Sequence, residues 1–125
     1  MNAGSAELRR HAIISLFGDC LVASVQSDLD AAGMGALRTA LLDSVRQAQP
    51  RGVVIDVSAL DLLDAYDFDA LRRTMAMVEL LGVRAVLVGL SPIIVAALVD
   101  QDAATDGVIA EPTLEAGLAR ATSRS

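Results

Sequence analysis

The order of apolar runs and helical stripes along this chain predicts one α/β domain. It should hold a mainly parallel five-stranded sheet, with one antiparallel edge strand from an N-terminal hairpin, flanked by about four helices. Three observations carry that reading. Short, wholly apolar runs such as Val53-Val54-Ile55 suit strands buried on both faces. Segments of helical spacing alternate with them, which calls for right-handed crossovers between parallel strands. The apolar stock of the 125 residues is aliphatic, with Phe17, Phe68 and Tyr66 as the only aromatics, and one core can be filled that way.

The first ten residues, MNAGSAELRR, read as a polar tail, residues 11–121 as the domain and residues 122–125 as a C-terminal tail. His11 to Phe17 and Cys20 to Val25 are two β-branched, apolar runs separated by Gly18-Asp19, a hairpin signal. Asp28 and Asp30 then offer N-cap oxygens to a helix reaching about Gln49, with Leu37, Leu41, Val45 and Ala48 on one stripe and Pro50 after it. Gly33 and Gly35 weaken its first turns. Val53, Val54, Ile55 and Val57 form the central strand. Asp64 is placed to cap a helix whose stripe is Phe68, Leu71, Met75 and Val78, with Arg72, Arg73 and Glu79 opposite and Gly82 as terminator. Arg84 to Val88 is the next strand, Ser91-Pro92 opens another helix, Val108 to Ala110 is a last short strand, and Pro112-Thr113 leads a closing helix to about Arg120.

Composition removes several function classes. The net charge is −6 and every cation is an arginine. Without lysine there is neither a P-loop nor a Schiff-base mechanism. An acidic chain with no basic run and few aromatics is a poor nucleic-acid binder. A single cysteine forms no internal disulfide and no cysteine metal cage, and no stretch approaches the length of a membrane span. With no apolar signal core in MNAGSAELRR, the expected setting is the cytoplasm.

Few residues could carry chemistry. The carboxylates Asp56, Asp61, Asp64, Asp67 and Asp69 suggest a divalent-cation site, a phosphoacceptor at a strand end, a partner-facing surface or simply helix capping. Capping is the favoured account, and the missing lysine argues against a receiver-like phosphoacceptor at Asp56. His11 has no nucleophile or carboxylate converging on it and reads as an exposed strand-end side chain. Cys20 reads as a small buried hydrophobe, Gly33-x-Gly35 is no dinucleotide fingerprint, and Met34, Met75 and Met77 read as core filler. No catalytic constellation, metal site or cofactor is expected.

Specific stretches carry a family resemblance. The run His11-Ala-Ile-Ile-Ser-Leu-Phe-Gly-Asp-Cys-Leu-Val-Ala-Ser-Val-Gln26 resembles the opening hairpin of the STAS family, most closely its stressosome branch. Gly52-Val-Val-Ile-Asp-Val-Ser-Ala-Leu-Asp-Leu-Leu-Asp64 resembles the family signature around the central strand, and Leu87-Val-Gly-Leu-Ser-Pro92 resembles the next strand and its proline-led helix. The likeness runs in order from about Arg10 to Arg120.

The resemblance implies an anti-sigma-factor antagonist or stressosome scaffold with no enzyme activity of its own. Its expected partners are a GHKL-type serine kinase and homologous STAS proteins, with a homodimer or larger assembly, in a stress-signalling partner switch acting on transcription. In that family the kinase modifies a serine just after an aspartate at the start of the second helix, and stressosome members carry a threonine before a glycine in a later strand. Here these positions are Ala65 and Val88, and neither has a hydroxyl. A naturally constitutive member, a Ser-to-Ala change at position 65, or a substitute hydroxyl at Ser58, Tyr66 or Thr74 would each account for this. The implied docking surface is Asp61, Asp64, Ala65, Tyr66 and Asp67. Tyr66 is its expected anchor, against partial burial at the sheet edge. A module binding a nucleotide or lipid-like ligand near the same helix start is the alternative.

Overall fold

A computed structural model describes residues 11–123; residues 1–10, the expected N-terminal tail, and 124–125 lie outside it. The elements in chain order are β1 (Ala12–Phe17), β2 (Cys20–Val25), α1 (Ala31–Ala48), β3 (Gly52–Asp56), α2 (Ala65–Leu80), β4 (Arg84–Val88), α3 (Pro92–Asp100), β5 (Ala110–Glu111) and α4 (Leu114–Thr122). They form one five-stranded sheet in the order β1-β2-β3-β4-β5, with β1 antiparallel to β2 and the rest parallel. The single α/β domain that the sequence predicts is therefore present, hairpin included.

Gly18 has a φ of +63°, which a glycine takes at no steric cost, and Phe17 pairs with Cys20 across the two-residue turn. The helices α1 to α4 open the same way. A side-chain oxygen accepts the N3 amide: Asp30 from Gly33, Asp64 from Asp67, Ser91 from Ile94 and Thr113 from Ala116. Each bond satisfies one of the donors that a helix start leaves without a partner.

Strand order dictates the layers. The parallel strands advance in one direction, so right-handed crossovers put α1, α2 and α3 on the same face. There Leu37, Leu41, Phe68, Leu71, Val78 and Ile94 pack on Val53, Ile55, Ala85 and Leu87 as the main core. The opposite face holds a second cluster of Cys20, Val22, Val54, Val86, Val88 and Ala121, closed by α4 alone. That helix lies unusually close. A Cβ on Gly117 would fall 2.3 Å from Val88 Cγ1, and one on Gly52 would fall 2.4 Å from the Ala121 carbonyl oxygen. Its C-terminal carbonyls are held by arginines from two strand starts, Arg51 to Thr122 at 3.1 Å and Arg84 to Arg120 at 3.2 Å. Cations there also oppose the negative helix end.

Several boundaries differ from the sequence expectation. The last strand is Ala110–Glu111, not 108–110: the Val108 amide closes a turn on Thr105, and only Ala110 and Glu111 align with Leu87 and Val88. The closing helix runs past Arg120 to Thr122, taking in the first residue of the expected C-terminal tail. Asp30, not Asp28, caps α1. Met77 is 38% exposed, so it is no core filler, whereas Met34 and Met75 are buried. Cys20 is buried as expected, and burial pushes its thiol pKa up.

Gly117→Ala should lower stability by about 1–3 kcal/mol, because overpacking at a 2.3 Å contact outweighs the helix propensity gained. Adding Val88→Ala removes the clashing methyl, so the double variant should be less destabilised than the sum of the two singles. Chemical-denaturation midpoints of the four chains measure this coupling, and strict additivity would contradict the packing.

Candidate functional site

The C-terminal end of the parallel strands is where the β3–α2 loop and the starts of α2 and α3 meet. The loop is folded tightly. The Val57 amide donates to the Val88 carbonyl at 3.0 Å, the Ser58 amide to Asp56 Oδ1 at 2.9 Å, and the Leu60 amide to the Val57 carbonyl at 3.0 Å. Leu60 and Leu63 are buried as anchors, which leaves Asp61 and Leu62 facing outward between them.

At the start of α2, Asp64 Oδ1 accepts the Asp67 amide at 2.8 Å. The Ala65 amide donates to Gln101 Oε1 at 2.7 Å. Gln101 is the C-cap residue of α3, so this bond ties the end of one helix to the beginning of another. Tyr66 is 80% exposed, which excludes burial against the sheet edge. Ile93, at 78%, and Leu62, at 71%, are the other large apolar side chains left open in this region.

The expected docking residues are thus brought together. Asp61, Asp64 and Tyr66 are exposed, while Ala65 and Asp67 are half-buried beside them. Val88 is elsewhere: it is buried under α4, on the sheet face opposite α2. Of the substitute hydroxyls, Ser58 and Tyr66 are exposed, but Thr74 is buried with its hydroxyl donating to the Ala70 carbonyl. His11 is half-buried rather than exposed, and its Nδ1 lies 3.0 Å from Ser27 Oγ.

Leu62 and Ile93 belong to this surface and escaped the sequence reading. The signal was there, since Leu62-Leu63 and Ile93-Ile94 are adjacent apolar pairs. In a capped loop or helix start only one of each pair can turn inward.

Beneath the surface lies a cleft of about 260 Å³, with Met34, Leu60, Leu63 and Ile94 as its apolar floor and Asp28 and Asp67 on its rim. The acidic cluster itself is divided among separate tasks. Asp56 and Asp64 accept backbone amides, and Asp69 pairs with Arg72 and Arg73. No group of three or more ligating side chains among the described residues could hold a metal ion.

Two neighbouring carboxylates shift in opposite directions. Burial, then the adjacent Asp64 and Asp28, raise the pKa of Asp67 above its ordinary value, while the Arg72 hydrogen bond, with Arg73, holds Asp69 below it. The folded chain therefore binds the Asp67 proton more tightly than the unfolded chain does. Its contribution to stability falls as pH rises from about 3.8 through the raised folded value; that of Asp69 is present above 3.8 and is lost as pH falls through the lowered one. Asp67→Asn should stabilise the protein at neutral pH by less than about 1 kcal/mol, since the group is partly open to water, and not below pH 3.8. Thermal melts of both chains across that range test it, and an equal effect at every pH would contradict the assignment.

A family model for the STAS domain matches residues 12–104. No curated protein matches the chain in sequence. Among solved structures, a Ser-to-Glu variant of RsbS from Moorella thermoacetica superposes with a TM-score of 0.73 at 27% identity, covering 87% of this chain and 92% of that one. A chain from a structure of the stressosome, described as a signal integration and transduction hub, gives 0.68 at 24% identity, covering 86% and 94%. The unphosphorylated anti-sigma factor antagonist SpoIIAA gives 0.63 at 17%, covering 87% and 96%. The last two likenesses are of fold. With the family model spanning most of the sequence, and with the mixed sheet and its four helices in place, this chain belongs to the STAS domain family.

Proposed function

We propose that this chain is a non-enzymatic regulatory module that docks other proteins through the start of α2. It would act as an anti-sigma-factor antagonist or stressosome scaffold in a partner switch. The observation that carries this reading is the exposure of three large apolar side chains, Leu62, Tyr66 and Ile93, around the starts of α2 and α3 in a STAS domain. Water-facing side chains of that size, rimmed by Asp61 and Asp64, suit a protein interface with an aromatic anchor. The complementary partner surface is apolar with basic residues around it. A GHKL-type serine kinase or a homologous STAS subunit would supply it, and the likeness to RsbS supports that choice.

Ala65 gives the proposal its character. It stands where the family's serine would stand, and Val88 lacks the second hydroxyl, so docking here would not be relieved by phosphorylation at either position. The chain would hold its partner constitutively, in the cytoplasm, as one unit of a larger assembly.

One observation favours a second reading, a small-ligand module: the cleft below the surface has an apolar floor. Its volume of about 260 Å³ falls below the roughly 300–1,000 Å³ of ligand pockets, and its carboxylate rim repels nucleotide phosphates. Protein docking is therefore preferred.

The experiment is affinity capture by the immobilised chain and by Tyr66→Ala and Ala65→Glu variants, with bound proteins identified by mass spectrometry. The expected result is a GHKL-fold kinase or STAS protein retained by the native chain. Its affinity should drop at least about tenfold in each variant, the size of effect typical of a hot-spot loss. A new carboxylate at position 65 sits at a helix N-terminus, where it leaves the fold intact. Undiminished capture by both variants would move the docking surface elsewhere, and a ligand-induced melting shift without such a partner would favour the cleft.

A further inference from the structure

α1 carries two glycines in its first turns, and the fold explains only one of them. A Cβ on Gly33 would fall 3.0 Å from the His11 ring and 3.2 Å from Asp30 Oδ1, so a larger residue is crowded there. A Cβ on Gly35 would meet nothing within 4 Å, and its φ lies outside the left-handed region. Glycine inside a helix is destabilising relative to alanine, and nothing among the described residues requires it at position 35. A bare backbone at this point serves a body that approaches closely from outside.

Gly35 lies in an open groove of about 270 Å³ between α1 and α2. Its walls are two stripes at helical spacing, Met34, Gly35 and Arg38 on α1 and Tyr66, Ala70 and Arg73 on α2, with Met77 below them. Both helices connect parallel strands, so they run in the same direction. From Tyr66 to Met77 the groove extends about 16 Å, three turns of helix. Its length and its small side chains suit a third helix laid into it better than an enclosed small molecule.

The two ends of the groove differ in charge. Asp64 and Asp67 stand at the start of α2, and Arg38 and Arg73 stand about two turns further along. Arg73 shares the Asp69 carboxylate with Arg72, which leaves one positive charge of that cluster uncompensated. Arg38 is exposed, and of the described arginines it is the one to which the structure gives neither an ion pair nor a hydrogen bond. In a chain of net charge −6, that cation fits a carboxylate supplied from outside.

We propose that the α1–α2 groove receives one amphipathic helix of a partner protein. Its backbone would approach Gly35, its basic residues would lie over Asp64 and Asp67, and its acidic residues over Arg38 and Arg73. Acidic residues favour the first turns of a helix and basic ones the last, so the partner helix runs antiparallel to α1 and α2. The inference rests on the docking reading, because Tyr66 borders both the groove and that surface, and it adds the kind of partner element and its direction.

The probes are two synthetic helical peptides of about 15 residues, long enough to span the groove. Both carry one stripe of leucine and alanine. One has glutamates in its first turn and lysines in its last, and the other has the reverse order. Binding to the full chain is read from backbone-amide NMR shifts. The acid-first peptide should move the amides of Gly35, Ala70 and Met77, with a dissociation constant on the order of 100 μM, at least about fivefold tighter than its reverse. Gly35→Leu should weaken it at least about tenfold while the denaturation midpoint of the free chain holds or rises, because the added side chain meets open space and favours the helix. Arg38→Glu should weaken the acid-first peptide at least about fivefold and strengthen the reverse one.

An absence of shifts on α1 and α2 up to millimolar peptide would overturn the proposal. So would equal affinity for the two peptides, undiminished binding by Gly35→Leu, or a lowered midpoint in that variant. The same variants in the capture experiment separate this inference from the docking reading. A partner lost with Tyr66→Ala but kept with Gly35→Leu and Arg38→Glu leaves docking in place and removes the groove. A partner kept with Tyr66→Ala and Ala65→Glu but lost with the groove variants does the opposite.

Discussion

Strand order is the constraint from which the rest of this molecule follows. Because β2, β3, β4 and β5 are laid down in sequence and right-handed crossovers are obligatory, three helices accumulate on one face of the sheet and none on the other. A parallel sheet cannot leave an aliphatic face in water. One nine-residue helix, α4, has to seal it, and it does so by approaching until Gly52 and Gly117 leave no room for a Cβ. The arginines at the starts of β3 and β4 reinforce the seal by holding the carbonyls at the end of the helix. So short a helix covers β3 and β4, touches β2 slightly, and makes no substantial contact with β1. The bare edge strand is the remainder of that arrangement.

The same order creates the end proposed for docking. Every parallel strand delivers its successor helix at one end of the sheet, so the starts of α2 and α3 converge there with the loop from β3. Helix starts attract carboxylates, and Asp64 and Asp67 sit where the dipole favours them. Burial, and then crowding with Asp64 and Asp28, raises the pKa of Asp67. The cations Arg51 and Arg84 lie at the strand starts, the other end of the sheet. The polarity of the surface thus follows from helix capping at one end and from α4 capping at the other.

Much of this was legible in the sequence, and the failures have physical causes. Hairpin, central strand and all four helices were readable because Gly18-Asp19, Ser91-Pro92 and the stripe from Phe68 to Val78 are local signals. The last strand was misplaced because Val108 and Ile109 look like strand residues, while pairing is decided by Leu87 and Val88, twenty residues away. Met77 was misread because a stripe shows spacing but not where the core ends across a helix. The proposed site was half legible: the family resemblance put Asp61, Asp64 and Tyr66 on one surface, and all three are exposed. Leu62 and Ile93 could not, because their exposure depends on which of two adjacent side chains the tertiary fold turns inward.

Positions 65 and 88, which the resemblance makes the family's acceptor positions, lie in two different settings. Ala65 lies at the first turn of a helix, half-open, its amide already held by Gln101. Charge placed there is compatible with the helix and changes only what the surface presents. Val88 lies under α4, its methyl against Gly117, inside the cluster that closes the second face. A phosphoryl group there would have to lift the helix on which the seal depends. A switch at position 65 would therefore act on docking, and one at position 88 on the fold itself. Alanine and valine at the two places offer no hydroxyl, so under the proposed function neither change would occur in this chain.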